Sequence, residues 1–241
     1  MELEPLNTFR QGSNQVYLLR HEGRSLLVKR YLRDQPEARF SNERQTLHLW
    51  SSLNFPVPKV WDITVPEFSS SPHLVVDYLG RLTLQEWLQN PEPPRTTKLE
   101  FIERIFRENF RRHLAALEHS EPKLIHADPN TSNILRHEDR FYFIDFEVTT
   151  GTRDLKEAVA IEIGKFCRWA VRDAGIAEIA NVMRTLVNVY GGHRELLRPI
   201  IDRTCRRPFQ MLHRWRDRRR KTLNPRDVTK YDLADALTEA L

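Results

Sequence analysis

The sequence predicts an α+β protein with a small β-rich domain followed by a larger, mostly helical domain. Short runs of β-favouring residues, separated by turn residues, fill the first 80 positions. Beyond them, apolar residues recur at intervals of three and four, which is typical of amphipathic helices. The chain of 241 residues is long enough for both domains, which we place at residues 1–79 and 80–241.

The composition is that of a soluble globular protein, with 40% hydrophobic and 29% charged residues. Its two cysteines, Cys167 and Cys205, are too far apart for a metal-ligand motif, which favours a reducing compartment and ordinary buried thiols. The first twenty residues lack the apolar run of a signal peptide. No apolar run reaches the roughly 18 residues of a membrane span. We therefore expect a cytoplasmic protein without a transmembrane segment.

The chain begins with a predicted β-hairpin. One strand follows Asn14, a turn occupies residues 21–23, and the second strand covers residues 25–31. The small residues Gly12, Ser13 and Asn14 precede the hairpin, where backbone N–H groups could approach a phosphate. The same three residues are also typical of a plain turn.

A lysine inside the second strand predicts a buried ion pair. Lys29 lies in the apolar run LLVKRY, where an unpaired ammonium would be costly. Residues 38–53 have helical spacing and include Glu43. We interpret Lys29 and Glu43 as partners; the alternative is a lysine that reaches solvent from a strand end and a solvated glutamate.

The later elements follow from the same patterns. An extended segment at 55–61 contains Pro56 and Pro58, and an apolar strand at 73–78 includes Asp77 and ends beside Leu79. Helical spacing then predicts helices at residues 82–88, 97–119, 153–172, 176–190, 194–204, 208–220 and 231–241. We interpret His113, on the longest helix, as a packing residue.

The stretch LIHADPNTSNILRHEDRFYFIDFE at residues 124–147 has the strongest chemical signature. Short strands are predicted at 124–125, 134–135 and 141–146, framing loops that carry Asp128, Asn133 and Asp145. Asp128 could accept a proton from an attacking hydroxyl. Asn133 and Asp145 offer hard oxygen ligands to Mg²⁺, so the spacing suits a phosphoryl-transfer site.

This ordered set resembles the catalytic machinery of the protein-kinase-like superfamily. The resemblance implies a bilobal fold with a β-rich N-lobe and a helical C-lobe, and a phosphotransferase that uses ATP and Mg²⁺. It further implies that Asp128 is the catalytic base and that Asn133 and Asp145 are metal ligands. The residues that it implies for nucleotide binding are Gly12, Ser13, Asn14, Lys29, Glu43 and the backbone around Asp77 and Leu79. His126 would brace the loop.

Three sequence motifs differ from those of ordinary protein kinases. No arginine follows His126, glutamate replaces glycine in the D-F-G motif at Glu147, and no A-P-E-like segment follows. The chain is similar to aminoglycoside phosphotransferases, choline kinases and lipopolysaccharide core kinases. These imply a hydroxyl of a small molecule or glycolipid sugar as the acceptor. Two alternatives stay open: an atypical protein kinase or ATPase of the RIO or KEOPS type acting in a complex, and a nucleotide-binding pseudokinase.

Positive charge is concentrated near the C-terminus. Residues 206–221 contain eight Lys or Arg against one Asp, whereas the whole chain has a net charge of +5. Such a segment could contact RNA or the inner membrane surface, which would make the protein peripheral there. The alternative is a solvated helix face with Phe209, Leu212 and Trp215 turned to the core.

Overall fold

The structure is a computed structural model that describes residues 2–6, 14–205 and 228–241, together with 211, 214–217 and 219. It divides into two compact units. The first contains residues 1–81 and 135–149, and the second contains residues 82–134 and 150–241. The segment 135–149, which carries Asp145, thus groups with the N-terminal residues, although the sequence analysis placed it in the C-terminal domain.

The first unit is built on an antiparallel sheet of five strands. These are β1 (Glu2–Pro5), β2 (Gln15–His21), β3 (Arg24–Arg30), β4 (Val60–Trp61) and β5 (His73–Asp77). Their order across the sheet is β1-β2-β3-β5-β4. The hairpin between β2 and β3 turns at Glu22 and Gly23, which both have positive φ, of 50° and 74°. Two such residues give a turn whose twist matches that of the paired strands.

One helix and a second small sheet complete this unit. Helix α1 (Pro36–Ser52) contacts β4 and β5. Strands β6 (Ile134–His137) and β7 (Arg140–Phe143) pair with each other. Trp50 of α1 is fully buried and packs edge-to-face on Phe143 and Phe146. The β7 region is thereby fixed to α1.

The second unit is helical. Its helices are α2 (Leu84–Gln89), α3 (Arg95–His119), α4 (Leu155–Ala174), α5 (Ile179–Tyr190), α6 (Arg194–Cys205) and α7 (Lys230–Ala240). Helix α3 packs against α4 and α5, and α7 packs against α4, α5 and α6. Asp154 caps α4 by accepting hydrogen bonds from the N–H groups of Lys156 and Glu157. The predicted α+β class, with a β-rich part and a helical part, is confirmed.

The predicted strand at Leu124–Ile125 is wrong. Residues Pro122–Leu124 form a 3₁₀ turn, and the Leu124 carbonyl accepts a hydrogen bond from the side chain of Arg112. Both apolar side chains are buried all the same. Burial without strand pairing explains the error, because an apolar dipeptide does not reveal how its backbone is satisfied. The predicted strand at 141–146 is also too long, since β7 ends at Phe143.

None of the helices in the described part of the chain has the length and apolar character needed to cross a membrane. Of the basic segment 206–221, only residues 211, 214–217 and 219 are described, so the predicted helix at 208–220 lies largely outside the described residues. Within that part, Arg214 forms a two-pronged ion pair with Asp235, at 2.8 and 2.9 Å. Trp215 is 52% exposed rather than turned to the core.

Candidate functional site

In the first unit, one lysine contacts three carboxylates. The Nζ atom of Lys29, on β3, lies 2.8 Å from Glu43 of α1 and 2.7 Å from Asp145. It also lies 2.7 Å from Glu147. The predicted contact between Lys29 and Glu43 is therefore present, and two further acidic groups join it. The lysine side chain is only 14% exposed, so these ion pairs are largely shielded from solvent.

The fold fixes this group through backbone and ring contacts. Asn42 of α1 donates a hydrogen bond to the Phe146 carbonyl at 2.6 Å. The N–H of Phe143 donates to the Pro56 carbonyl at 2.9 Å. Between these two anchors, Asp145 has a φ of 69°. This left-handed conformation is unfavourable for most residues but is accessible to aspartate, and it sets the direction of the carboxylate.

Glu147 is a site residue that the sequence analysis missed. It is only 8% exposed, and besides Lys29 it pairs with Arg39 at 3.0 Å. It also accepts a hydrogen bond from the side chain of Asn14, whose amide oxygen accepts one from the Leu32 N–H at 3.1 Å. A charged residue within the aromatic run FIDFE was the available signal, because a buried carboxylate requires partners.

The electrostatics keep the lysine charged. Burial alone would lower the pKa of Lys29, but the carboxylates of Glu43, Asp145 and Glu147 outweigh it, so the pKa is raised. Tyr31 donates a hydrogen bond to Glu43 at 2.6 Å. Burial and the negative charge of Glu43 raise the pKa of the Tyr31 hydroxyl, which therefore stays protonated and keeps donating.

The same carboxylates could hold a divalent cation. Oxygen atoms of Glu43, Asp145 and Glu147 lie within 4.8 Å of one another. Mg²⁺ prefers carboxylate oxygens as ligands, so this set of donors fits it. Lys29 and Arg39 pair with these carboxylates, and burial raises the pKa of Glu43 although Lys29 opposes that shift.

The second unit contains the loop with the other predicted residues. Asp128 is exposed, and its N–H donates to the ring of the buried His126 at 3.2 Å. Asn133 donates its amide N–H to the backbone carbonyl of Asp128 at 3.0 Å and to its carboxylate at 3.3 Å. These contacts hold the Asp128 carboxylate at the loop surface, where it could accept a proton. The amide oxygen of Asn133 takes part in neither bond.

A buried ion pair supports this loop, and the sequence analysis did not identify it. Arg112 of α3 and Glu162 of α4 are both fully buried and form a two-pronged pair. Arg112 also donates to the Leu124 carbonyl, and Glu162 accepts from the N–H of His126 at 2.9 Å. The pair thus binds the backbone on both sides of Ile125 and fixes the start of the loop.

A histidine belongs to the same buried network. His113 contacts Glu162 at 3.1 Å and the hydroxyl of Tyr190 at 2.9 Å. Burial lowers the pKa of His113, although Glu162 opposes the shift. For Glu162, burial acts to raise the pKa, but Arg112 and His113 outweigh it and the pKa is lowered. The network therefore consists of an ionised glutamate, an arginine and a neutral histidine.

A second anchor holds the middle of the loop. The hydroxyl of Thr131 donates to Asp173 of α4 at 2.5 Å, and Gln89 of α2 donates to the same carboxylate at 2.9 Å. Thr131 is fully buried and Asp173 is 5% exposed. The loop is therefore attached to helix α4 both through Glu162, near the middle of that helix, and through Asp173, near its C-terminal end.

The remaining predicted residues lie in the first unit or outside the described residues. Gly12 and Ser13 are not described. The carboxylate of Asp77 accepts from the indole N–H of Trp61 at 2.7 Å, and its backbone N–H donates to Lys59. Leu79 is half-buried two residues after the end of β5. The nucleotide-binding roles of these residues stay predictions.

Comparison with known proteins gives one match. Residues 8–99 match the profile of the phosphotransferase enzyme family, APH, which is part of the protein-kinase-like superfamily. The matched range includes Lys29 and Glu43 and ends before the loop of Asp128. No curated protein matches the chain. The resemblance to aminoglycoside phosphotransferases is confirmed over this range, and the match indicates a phosphotransferase of the kinase type.

Proposed function

We propose that this protein is a kinase that transfers the γ-phosphoryl group of ATP to a hydroxyl of a small molecule or glycolipid sugar, with Mg²⁺ as cofactor. The observation that carries the proposal is the cluster in which Lys29 contacts Glu43, Asp145 and Glu147. A lysine held by carboxylates in this way is suited to bind ATP phosphates in a fixed position.

In the proposed reaction, the acceptor oxygen attacks the γ-phosphorus of ATP and forms a new P–O bond. The bond between the γ-phosphorus and the bridging oxygen of the β-phosphate breaks, and ADP leaves with that electron pair. Asp128 accepts the proton of the attacking hydroxyl, for which its exposed carboxylate is available. Lys29 binds phosphate oxygens of ATP, and Glu43 keeps its ammonium in place.

Asp145 and Asn133 are the proposed ligands of Mg²⁺, and Glu147, whose carboxylate lies within 4.8 Å of the Asp145 carboxylate, is a further candidate. When it is bound, Mg²⁺ would neutralise part of the negative charge of the ATP phosphates. The left-handed backbone of Asp145 supports its assignment, because strained residues occur preferentially at functional sites.

The experiment is a measurement of Mg²⁺-dependent ADP release by the full chain, with a pooled set of sugars, amino alcohols and glycolipids as acceptors. Asp128→Ala and Asp145→Asn should each abolish the release that acceptors stimulate. Asp62→Ala is a matched control, since Asp62 is an exposed residue that pairs with Arg44. Full activity of Asp145→Asn would refute its metal role, and nucleotide binding without turnover under any acceptor would favour the pseudokinase or the partner-dependent enzyme.

A further inference from the structure

A cavity of about 330 Å³, open to solvent on one side, lies at the surface of the helical unit between helices α4, α6 and α7. Four cationic side chains line it: Lys165, Arg168, Arg203 and Lys230. Among the described residues of the lining, none is acidic. Its volume is at the lower end of the range found for small-molecule sites, about 300 to 1,000 Å³. The cavity could therefore hold one monosaccharide-sized molecule.

The cavity adjoins the loop that carries the proposed base. The Nζ atom of Lys165 donates a hydrogen bond at 2.7 Å to the carbonyl of Ala127, the residue before Asp128. Arg168 follows Lys165 by three positions on α4, so both side chains lie on one face of that helix. A molecule in the cavity would thus contact the same lysine that holds the Asp128 loop.

The lining of the cavity is cationic. Outside the lining, Glu157 pairs with Arg203 at 2.7 Å. The guanidinium of Arg168 lies 5.7 Å from the ring of Trp169, a contact that leaves its charge in place. Lysine and arginine bind phosphate and carboxylate through charge-assisted hydrogen bonds, whereas a cationic amine would be repelled.

We propose that this cavity is the acceptor subsite and that the acceptor carries an oxyanion, as a sugar phosphate or a sugar acid does. Its phosphate or carboxylate binds the cationic lining, and its free hydroxyl reaches Asp128. The acceptor role rests on the proposed kinase function, but binding of the oxyanion does not. Apolar side chains complete the lining, including Ile161, Ile200 and Leu233, and would contact the C–H groups of the sugar ring.

The test is calorimetric titration of the full chain, without nucleotide, with glucose 6-phosphate, glucuronate, inorganic phosphate and uncharged glucose. We expect one of the two anionic sugars to bind and glucose not to bind. Arg168→Gln and Lys230→Gln should each weaken that binding by about tenfold, the value of one lost charge-assisted hydrogen bond. Arg184→Gln is the matched control, since Arg184 is an exposed arginine on α5 outside the cavity, and it should leave the affinity unchanged.

The sugars also separate the sources of the oxyanion. Competition by inorganic phosphate would indicate a sugar phosphate, and preference for glucuronate would indicate a sugar acid. The proposal is overturned if glucose binds as tightly as the anionic sugars, if neither anion binds, or if Arg184→Gln weakens binding as much as Arg168→Gln.

The same proteins are then assayed for ADP release, so that the two proposals can fail separately. One outcome is that an oxyanion binds, that Arg168→Gln weakens this binding, and that no ADP release depends on Asp128. That result would support the subsite and refute the kinase. Release stimulated by glucose, without oxyanion binding, would support the kinase and refute the subsite.

Discussion

The carboxylate of Glu162 accepts a hydrogen bond from the backbone N–H of His126, 2.9 Å away, while it forms a buried ion pair with Arg112. Helices α3 and α4 thus hold the start of the loop that carries Asp128. Because both charges are fully buried, each depends on the other for compensation. The network should therefore affect both the stability of the helical unit and the position of the loop.

Replacing Glu162 with glutamine should destabilise the protein strongly. The substitution leaves the guanidinium of Arg112 buried without a counter-ion, which costs about 3–5 kcal/mol. The free energy of unfolding, measured by urea denaturation, tests this. Glu118→Gln is the control, since Glu118 is exposed near the end of α3. A loss below about 0.5 kcal/mol, as for an ordinary surface substitution, would contradict the role of the pair.

Stability should fall on acidification below pH 6.5, in part because of His113. The pKa of this residue is lowered from its ordinary value of 6.5, since burial disfavours the imidazolium. Below that pH the unfolded chain takes up a proton that the folded protein does not, so the free energy of unfolding falls as pH decreases. One such proton lowers the free energy of unfolding by up to about 1.4 kcal/mol for each pH unit of acidification.

Urea denaturation between pH 7 and 5 gives the free energy of unfolding at each pH. The contribution of His113 is the difference between the wild type and the variant in the slope of this free energy against pH. His113→Gln should show a shallower dependence on pH than the wild type. His119→Gln, at the exposed end of α3, should behave like the wild type. Equal slopes for all three proteins would show that His113 does not stay neutral in the folded state.

Replacing Lys29 with methionine should remove most of the phosphotransfer activity. The substitution keeps the length of the side chain but removes the ammonium that contacts Glu43, Asp145 and Glu147. Loss of one group that stabilises transition-state charge lowers kcat by about 10²–10³-fold. Steady-state kinetics measure the effect, and Arg20→Gln, at an exposed position of β2, is the control. A change in KM alone would mean that Lys29 contributes only to ground-state binding.

Glu147→Gln should weaken the binding of Mg²⁺. Glu147 lies within 4.8 Å of the other two carboxylates and holds Lys29 and Arg39 in place. A group that orients metal ligands changes metal affinity by about 10–100-fold when it is removed, so the half-saturating Mg²⁺ concentration should rise by that factor. ADP release is measured across a Mg²⁺ series, with the exposed Glu22→Gln as control. An unchanged Mg²⁺ curve would restrict Glu147 to a structural role.

Local patterns predicted most of the elements. The turn at Glu22–Gly23 and the strands beside it were predicted from turn residues and alternation, and the structure has them at β2 and β3. The longest predicted helix, at 97–119, corresponds to α3 at Arg95–His119. The strand at Leu124–Ile125 was not correct, because those residues satisfy their backbone through Arg112 rather than through a neighbouring strand.

The sequence by itself determined the class of the fold and the order of the elements, and it indicated Asp128, Asn133 and Asp145 as candidate site residues, because each of these depends on neighbours along the chain. The pairing of Lys29 with Glu43 was predicted, but tertiary structure alone decided which charges farther apart along the chain meet. Lys29 contacts Asp145 across 116 positions, and Arg112 contacts Glu162 across 50. A buried charge must find a partner, but sequence spacing cannot name a partner that long-range packing brings near. Glu147 and Glu162 became recognisable as site residues only when the folded chain placed cations beside them.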